Sequence, residues 1–544
     1  MMRTAISLAL LVAAAPAVAQ TPRPVLTDSV IAEAIDLYNR PATIRITGDS
    51  DVSAGTELVG DVAVVNGTFE VSGRIRGSVL LINGRLELHG GARIDNDVIV
   101  IGGTIHGQDS ASIGGTTTAY RETFSFQMQD DHIVRIAQRP TEFTAGRDFD
   151  FGRTDIVVAS RRGYNRVEGL PIHIGPRLTL GRSNPTIFEG LFTFRTAAGF
   201  DFDSDDWGYS LRAEQYLGGL RAARIGVRAF SEIAPIENAG VSDPENSLAA
   251  FLFHHDFRDH YEREGWNAWF TIAPPGRPTA ATIGFAEEWH RPAGTRDPLS
   301  LFDNGAGWRA EPLAATGRLR SVYANLSFDS RNVPDDPANG WWARIDLERG
   351  VDGSLHYGAP LDLDAPSTFT SGAIDLRRYA RLGPGSRLAL RLFTAGSIDG
   401  KPLPVQRQRA LGGEGSLPGF VRNQFDCGAE NNRDDAPFKP FYGCDRVALV
   451  QIEHQGEFGF LRRAQIPGLR DLGFLESVRW VAFFDAGRAW TDPDAAGIRS
   501  TGQNDFAADA GFGIRLGHLG LYWAFPLSGD GNNVNFFLRL GPRL

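Results

Sequence analysis

From about Gly163 to Leu544 the chain alternates apolar and polar positions, in segments of roughly ten residues separated by turns rich in Gly, Asp, Pro and Asn. A period of two places successive side chains on opposite faces of a strand. In 322–329, Val322, Ala324, Leu326 and Phe328 share one face, and Tyr323, Asn325, Ser327 and Asp329 the other. Trp341, Ala343, Ile345 and Leu347 oppose Trp342, Arg344, Asp346 and Glu348. Leu388, Leu390 and Leu392 oppose Arg387, Ala389 and Arg391. Val534, Phe536, Leu538 and Leu540 oppose Asn535, Phe537 and Arg539. About sixteen such strands are predicted. They start near Leu170, Ile187, Trp207, Ala222, Leu248, Gly265, Thr279, Leu319, Gly340, Phe369, Arg387, Val447, Val478, Ala508, Leu519 and Asn533.

A soluble sandwich alternates in the same way, so the aromatic positions carry the distinction. Trp480 and Trp490 share one parity, ten residues apart. On a strand tilted by about 40° they stand about 25 Å apart along a membrane normal, the separation of the two aromatic girdles of a membrane barrel. No stretch of the chain approaches the ~20 apolar residues of a membrane helix. A barrel escapes that criterion because its lipid-facing and lumen-facing residues alternate, and it must close because lipid offers no partner to an unpaired strand edge. The expected fold is all-β: a transmembrane antiparallel barrel of about sixteen strands over 163–544.

Ahead of it the pattern changes. Over 43–115, Gly60-Asp61-Val62, Gly77-Ser78-Val79 and Asn96-Asp97-Val98 each open a strand, at offsets of 17 and 19 residues. Gly67, Gly84 and Gly103 recur in phase, as do Gly73, Gly90 and Gly107, with Val62/Val64, Val79/Leu81 and Val98/Val100 between them. Glycine corners and inward β-branched residues at a short period predict stacked rungs of a β-solenoid; the repeat resembles the bactofilin type. Residues 116–162 read as a linker. Residues 20–42 are a lead-in, with a short helix from Asp28 to Leu37 ended by Pro41. Arg3, the apolar run 5–15 and Ala17-Val18-Ala19 mark 1–19 as a secretory signal peptide.

Composition agrees: 63 Gly, 35 Phe and 10 Trp against 3 Met suit many short strands and turns. A net charge of −10 excludes the basic footprint of a nucleic-acid binder. Cys427 and Cys444, the only cysteines, point in an exported chain to one disulfide rather than a metal site. No G-x-S-x-G elbow is present, so no catalytic residue is assigned and the chain is expected not to be an enzyme. His254, His255, Asp256 and His260 are not taken as a metal site, because adjacent histidines on a strand face opposite ways. The acidic run 201–206 is read as a solvated loop tip. No metal or cofactor is expected.

Four passages make the barrel resemble the BamA/TamA-type outer-membrane assembly-factor superfamily, the bacterial surface antigen barrel. They are FDSRNVPDDPANGWWARI (328–345), LGGEGSLPGF (411–420), FFDAGRAW (483–490) and GFGIRLG (511–517). YNRVEGLPIHIG (164–175) also looks like a first barrel strand of such proteins. The resemblance implies that Gly412, Gly413, Gly415, Pro418, Gly419 and Phe420 form a loop folded into the lumen, docked on a strand carrying Phe483, Asp485 and Gly487. Glu453, on the preceding strand, shares the inward parity with Gln451 and Gln455.

Two carboxylates facing one lumen need a cation. In the family an arginine at the loop tip supplies it; here that position is Pro418. Arg422, with Arg409 behind it, is the expected replacement, docking on Asp485, Glu453 or both. Two further departures stand out. Nothing in 20–162 reads as the POTRA domains of assembly or export factors, and Leu544 after Pro542 replaces the usual terminal aromatic, leaving Phe536 and Phe537 for recognition by the insertion machinery. The expected protein lies in the outer membrane with its N-terminal segment in the periplasm. It contacts outer-membrane lipid and lipopolysaccharide, and other envelope proteins whose insertion or passage it aids. A weak seam between 170–180 and 533–540 would serve that role. The competing readings are a passive porin-like channel, a barrel anchoring the solenoid, or a surface hydrolase.

Overall fold

A computed structural model of the chain describes residues 28–544 apart from 121–125, 130–131, 136–141, 182–183, 198–206, 219–221, 238–239, 275–277, 295, 303–304, 306, 332–335, 360, 384, 429–442, 459–477, 497–499, 504 and 530–533. The leader 1–19, the acidic run 201–206 and most of the loop between the cysteines lie outside the described residues.

The repeat winds into a parallel solenoid with three sheets. One holds Ile44–Thr47, Val62–Val65, Val79–Ile82, Val98–Ile101 and Thr117–Tyr120 in order. The register Val62↔Val79↔Val98 reproduces the 17- and 19-residue offsets. Val62, Val64, Phe69, Ile75, Leu81 and Val98 fill the interior. The first sheet is apolar on both faces, hence its unbroken VAVV and VLLI runs. Its outer side meets Ile31, Ala34, Leu37 and Tyr38 of the helix Asp28–Asn39, which covers Ala63, Val65, Leu80 and Ile82. The lead-in is therefore the solenoid's lid. At the corners, a Cβ on Gly84 would stand 2.1 Å from the carbonyl oxygen of Gly67 one rung below, so only glycine fits there. The hairpin Phe126–Gln129/His132–Arg135 is tied on by two 2.9 Å hydrogen bonds between the Asn39 amide and the Ile133 backbone.

The rest of the chain forms one antiparallel sheet running from Glu142–Phe149 to Asn535–Leu540 in sequence order. Leu363–Ala365 prolongs the ladder of Phe369–Gly383 on Gly340–Tyr357, so seventeen strands make the wall among the described residues. The expected barrel of about sixteen strands is present, with two corrections. The wall begins at Glu142, not near Gly163: Glu142–Phe149 and Gly152–Ala159 pair along their whole length and then onto Ile172–Leu180. The Arg/Asp turns around them gave a linker-like composition, yet Asp155, Val157 and Ala159 point in while Ile156 and Val158 point out. The start near Leu248 is no strand but the helix Asp243–Phe253. Ser242 caps it, its Oγ accepting from the Glu245 N–H at 3.4 Å, and a proline stands in its first turn.

The wall is inside-out relative to a soluble protein. Phe188, Phe192, Leu211, Ile225, Val227, Ile283, Leu326, Leu347, Ile374, Phe484, Phe512 and Phe536 are all exposed on the outer face. Glu189, Glu214, Glu288, Arg391, Gln451, Glu453, Asp485, Asp509, Arg515 and Arg539 are buried on the inner one. Trp480 and Trp490 share the outer parity with Phe484. An apolar outer face around a largely charged and polar inner one is the pattern of a lipid-facing barrel, and so large an exposed apolar band is foreign to a soluble monomer.

Strand lengths are uneven. Gly340–Tyr357 and Phe369–Gly383 have 18 and 15 residues, while Glu142–Phe149 and Asn535–Leu540, at the two ends of the sheet, have eight and six. No ladder joins those two end strands among the described residues. The two edge strands that a seam would join are thus 142–149 and 535–540, not 170–180 and 533–540 as expected.

Candidate functional site: the plugged lumen

The long connections 236–259, 293–315 and 398–445 all lie at one end of the wall; turns such as 150–151 and 517–518 lie at the other. From the long-loop end, 411–420 turns into the lumen. Gly412 and Gly413 adopt positive φ (120° and 84°). The Gly413 N–H donates to the carbonyls of Leu417 and Phe420, closing a tight knot. Gly415 sits so close to Gly240 of a neighbouring loop that a Cβ on the latter would meet the Gly415 carbonyl at 2.4 Å. Leu417 and Phe420 bury against Leu411, Leu449 and Ala489, and Phe420 packs edge-on against Phe425 at 4.8 Å.

The loop grips the wall through its backbone. The Gly419 N–H donates to Asp509 Oδ2 at 2.7 Å, the Ser416 carbonyl accepts from Gln451 at 3.0 Å, and the Pro418 carbonyl accepts from Asn535 at 3.2 Å. Gly487 is glycine because the loop lies on it: a Cβ there would meet Leu411 Cδ1 at 2.8 Å. Cys427 and Cys444 form the expected disulfide at the foot of the loop.

Asp485 is register partner to both Gln451 and Asp509, and Phe483 to Glu453. Asp485 and Asp509 are wholly buried and Glu453 nearly so, placing three carboxylates in one dry patch. The cation that meets them is not Arg422. It is Arg543, beyond the last strand, which ion-pairs with Asp485, approaches Glu453 at 3.9 Å and lies 3.7 Å over the Phe483 ring. Leu544 follows it inward and packs on Tyr379 and Ala389. Segment 541–544 therefore re-enters the lumen from the short-turn end, and the loop reaches the same row of side chains from the long-loop end. Pro418 meets the wall through its carbonyl, and the guanidinium that faces these carboxylates comes from the opposite end of the lumen.

Arg422 serves a different cluster. It donates to Asp259 Oδ2 at 2.9 Å and to the Phe257 carbonyl at 2.8 Å. Asp259 also pairs with Arg166 and Arg309, and the fully buried Arg166 reaches Glu311 at 2.8 Å as well. Four loops are thereby tied together over the lumen. Arg409 lies 5.9 Å from the Phe393 ring and, with Arg422, faces the buried Glu237 beside the second cluster. The histidines expected to share a strand belong to this cap: His254 ends the helix in a left-handed conformation and stacks on Trp308 at 3.8 Å, while His260 bonds Glu311 at 3.2 Å. They converge on no common point. Among the described residues, the one group with ligand atoms close together is Glu70, Glu87 and His89 on the solenoid surface.

Sequence reasoning missed Asp509 and Arg543. Asp509 stands two residues before Gly511 on the same inward parity, so extending the GFGIRLG motif by one inward position would have found it. Arg543 offered no periodic signal, lying outside any strand.

No family model matches this chain, and no curated protein does. Solved structures similar to it include BamA from Haemophilus ducreyi lacking POTRA domains 1–3, at 14% identity over 74% of this chain and 75% of that one, with a TM-score of 0.42. CdiB from Escherichia coli shares 13% identity over 77% and 67% of the two chains, TM-score 0.33. Pseudomonas aeruginosa OpdL shares 10% over 74% and 86%, TM-score 0.27.

Proposed function

We propose that this chain is a non-enzymatic outer-membrane barrel that stays closed along its axis and acts at its wall, aiding the insertion or passage of envelope proteins or lipids. The observation that carries this reading is the double plug: 411–420 and 541–544 enter the lumen from opposite ends and meet the Gln451–Asp485–Asp509 row. A passive porin keeps a polar, water-filled lumen; here the chain's own segments occupy it. An interior chamber of about 530 Å³ remains beside them, lined by charged residues such as Arg263, Glu288, Asp346 and Arg407. The motif order in 328–517 and the short end strands at the seam support a wall-based role. In a hydrocarbon layer about 25 Å thick, a tilted strand needs roughly ten residues to cross, so six- and eight-residue strands favour a locally thinned bilayer beside the seam. Its partners in this reading are outer-membrane lipid, lipopolysaccharide and envelope proteins.

Planar-bilayer recording tests it. The expected result is no steady open current from the intact protein. A stable ohmic conductance would establish the porin-like alternative, and turnover in a hydrolase screen of the refolded protein would overturn the non-enzymatic reading.

A further inference from the structure

We infer that the solenoid stands outside the cell, on the same side of the membrane as the long loops, and not in the periplasm as its position ahead of the barrel would imply. The inference rests on the outer-membrane reading above and follows from strand parity. The register Glu142↔Ala159 puts the first residue of the wall level with the last residue of the second strand, and Ala159↔His173 puts both level with the start of the third. Pairings further round carry the same level to Pro235↔His260 and Gly396↔Arg446, where connections 236–259 and 398–445 begin and end. The wall therefore begins at its long-loop end.

Two contacts hold Glu142 there: its carboxylate pairs with Arg177 at 2.8 Å and with Arg161, in the first long-end connection, at 3.5 Å. Phe143 beside it is exposed and is register partner to Val158 on the outer face, and the strand pairs with Gly152–Ala159 along its whole length.

The solenoid cannot be far away. Its last hairpin ends at Arg135 and is fastened to it through Ile133, which is buried against the helix Asp28–Asn39 and the first sheet. From Arg135 to Glu142 the chain reaches at most about 25 Å when fully extended. A bilayer with its headgroups is about 40–45 Å thick, and the lumen is occupied by 411–420 and 541–544, so the tether has no route to the other side. In single-chain outer-membrane barrels the short turns face the periplasm and the long loops the exterior. The odd count of seventeen strands among the described residues expresses the same fact: the wall starts at its long-loop end and its last strand finishes at the short-turn end.

Three single-cysteine variants of the full chain test this, because both native cysteines are tied in the disulfide. Asp109→Cys reports the solenoid surface, Lys401→Cys a long loop, and His518→Cys a short turn; all three positions are exposed. Intact cells are treated with a maleimide too large to cross the outer membrane, then again after permeabilisation. The expected pattern is labelling at 109 and 401 in intact cells and at 518 only after permeabilisation. Labelling at 401 in intact cells with 109 and 518 both protected overturns the inference and leaves the barrel orientation standing. Protection of 401 with labelling of 518 overturns the orientation, and the inference with it, and is recognised by the loop position alone.

Discussion

Arg543 and Asp485 lie 58 residues apart in sequence, yet they form an ion pair at the centre of the barrel in which neither side chain is more than 1% exposed. The aspartate is where the inward parity of Val478–Trp490 puts it; the arginine comes from beyond the last strand.

Removing Arg543 leaves Asp485 and Glu453 buried without their cation. Breaking a buried pair from one side costs about 3–5 kcal/mol, so Arg543→Ala should migrate as unfolded protein at a lower temperature than the parent in unboiled gel electrophoresis. Arg543→Ala combined with Asp485→Asn should recover part of the loss.

The second cluster predicts a graded response. Asp259 keeps Arg166 and Arg309 when Arg422 is removed, so Arg422→Ala should cost little, about 1 kcal/mol for a part-exposed pair. Arg166→Ala takes one fully buried guanidinium from Asp256, Asp259 and Glu311 at once and should cost about 3–5 kcal/mol. Thermal unfolding in detergent separates the two; equal losses would refute the hub.

Reducing the disulfide, or replacing Cys427 and Cys444 with Ser, should release a 17-residue span. Loop-closure entropy for that length is worth about 3 kcal/mol. Protease should cut between residues 427 and 444 faster, with unboiled barrel migration unchanged.

In the solenoid, Asp97 accepts hydrogen bonds from the Thr116 N–H and hydroxyl at 2.7 and 2.8 Å, and these hold its carboxyl below the usual range. A depressed folded pKa stabilises above the unfolded value near ~4 and is lost as pH falls through the folded one. Thr116 amide exchange should therefore quicken at acidic pH relative to neutral after correction for intrinsic rates, and Asp97→Ala should abolish that difference. Separately, Gly84→Ala drives a methyl into the Gly67 carbonyl and should destabilise the solenoid by about 1–3 kcal/mol.

Much of the wall was legible because its signal is local: a period of two survives any global arrangement, and the parities at Trp341/Trp342 and Phe483/Asp485 stand as read. The solenoid was legible for the same reason, since each rung repeats its neighbour. The illegible parts depend on which distant segments meet. The carboxylate at 485 announces a need for a cation but not whether 422 or 543 fills it, because the answer depends on how two loops and segment 541–544 share one lumen. The helix Asp243–Phe253 was hidden differently. Its Ser-Asp-Pro-Glu start is a helix signal, overridden in the reading by the strands on either side. Strands 142–149 and 152–159 were lost to the charge of their turns, and with them the parity that decides which side of the membrane carries the solenoid.

The central claim is that adjacent residues of the wall face lipid and lumen in alternation. Val322 is exposed on the outer face and Tyr323 lines the inner chamber. A small fluorophore attached through Val322→Cys, in protein reconstituted into bilayers, should be quenched by a nitroxide on the lipid chains and shielded from aqueous iodide. Attached through Tyr323→Cys, it should escape the nitroxide. Equal quenching of both by iodide, with neither reached by the lipid nitroxide, would contradict the account.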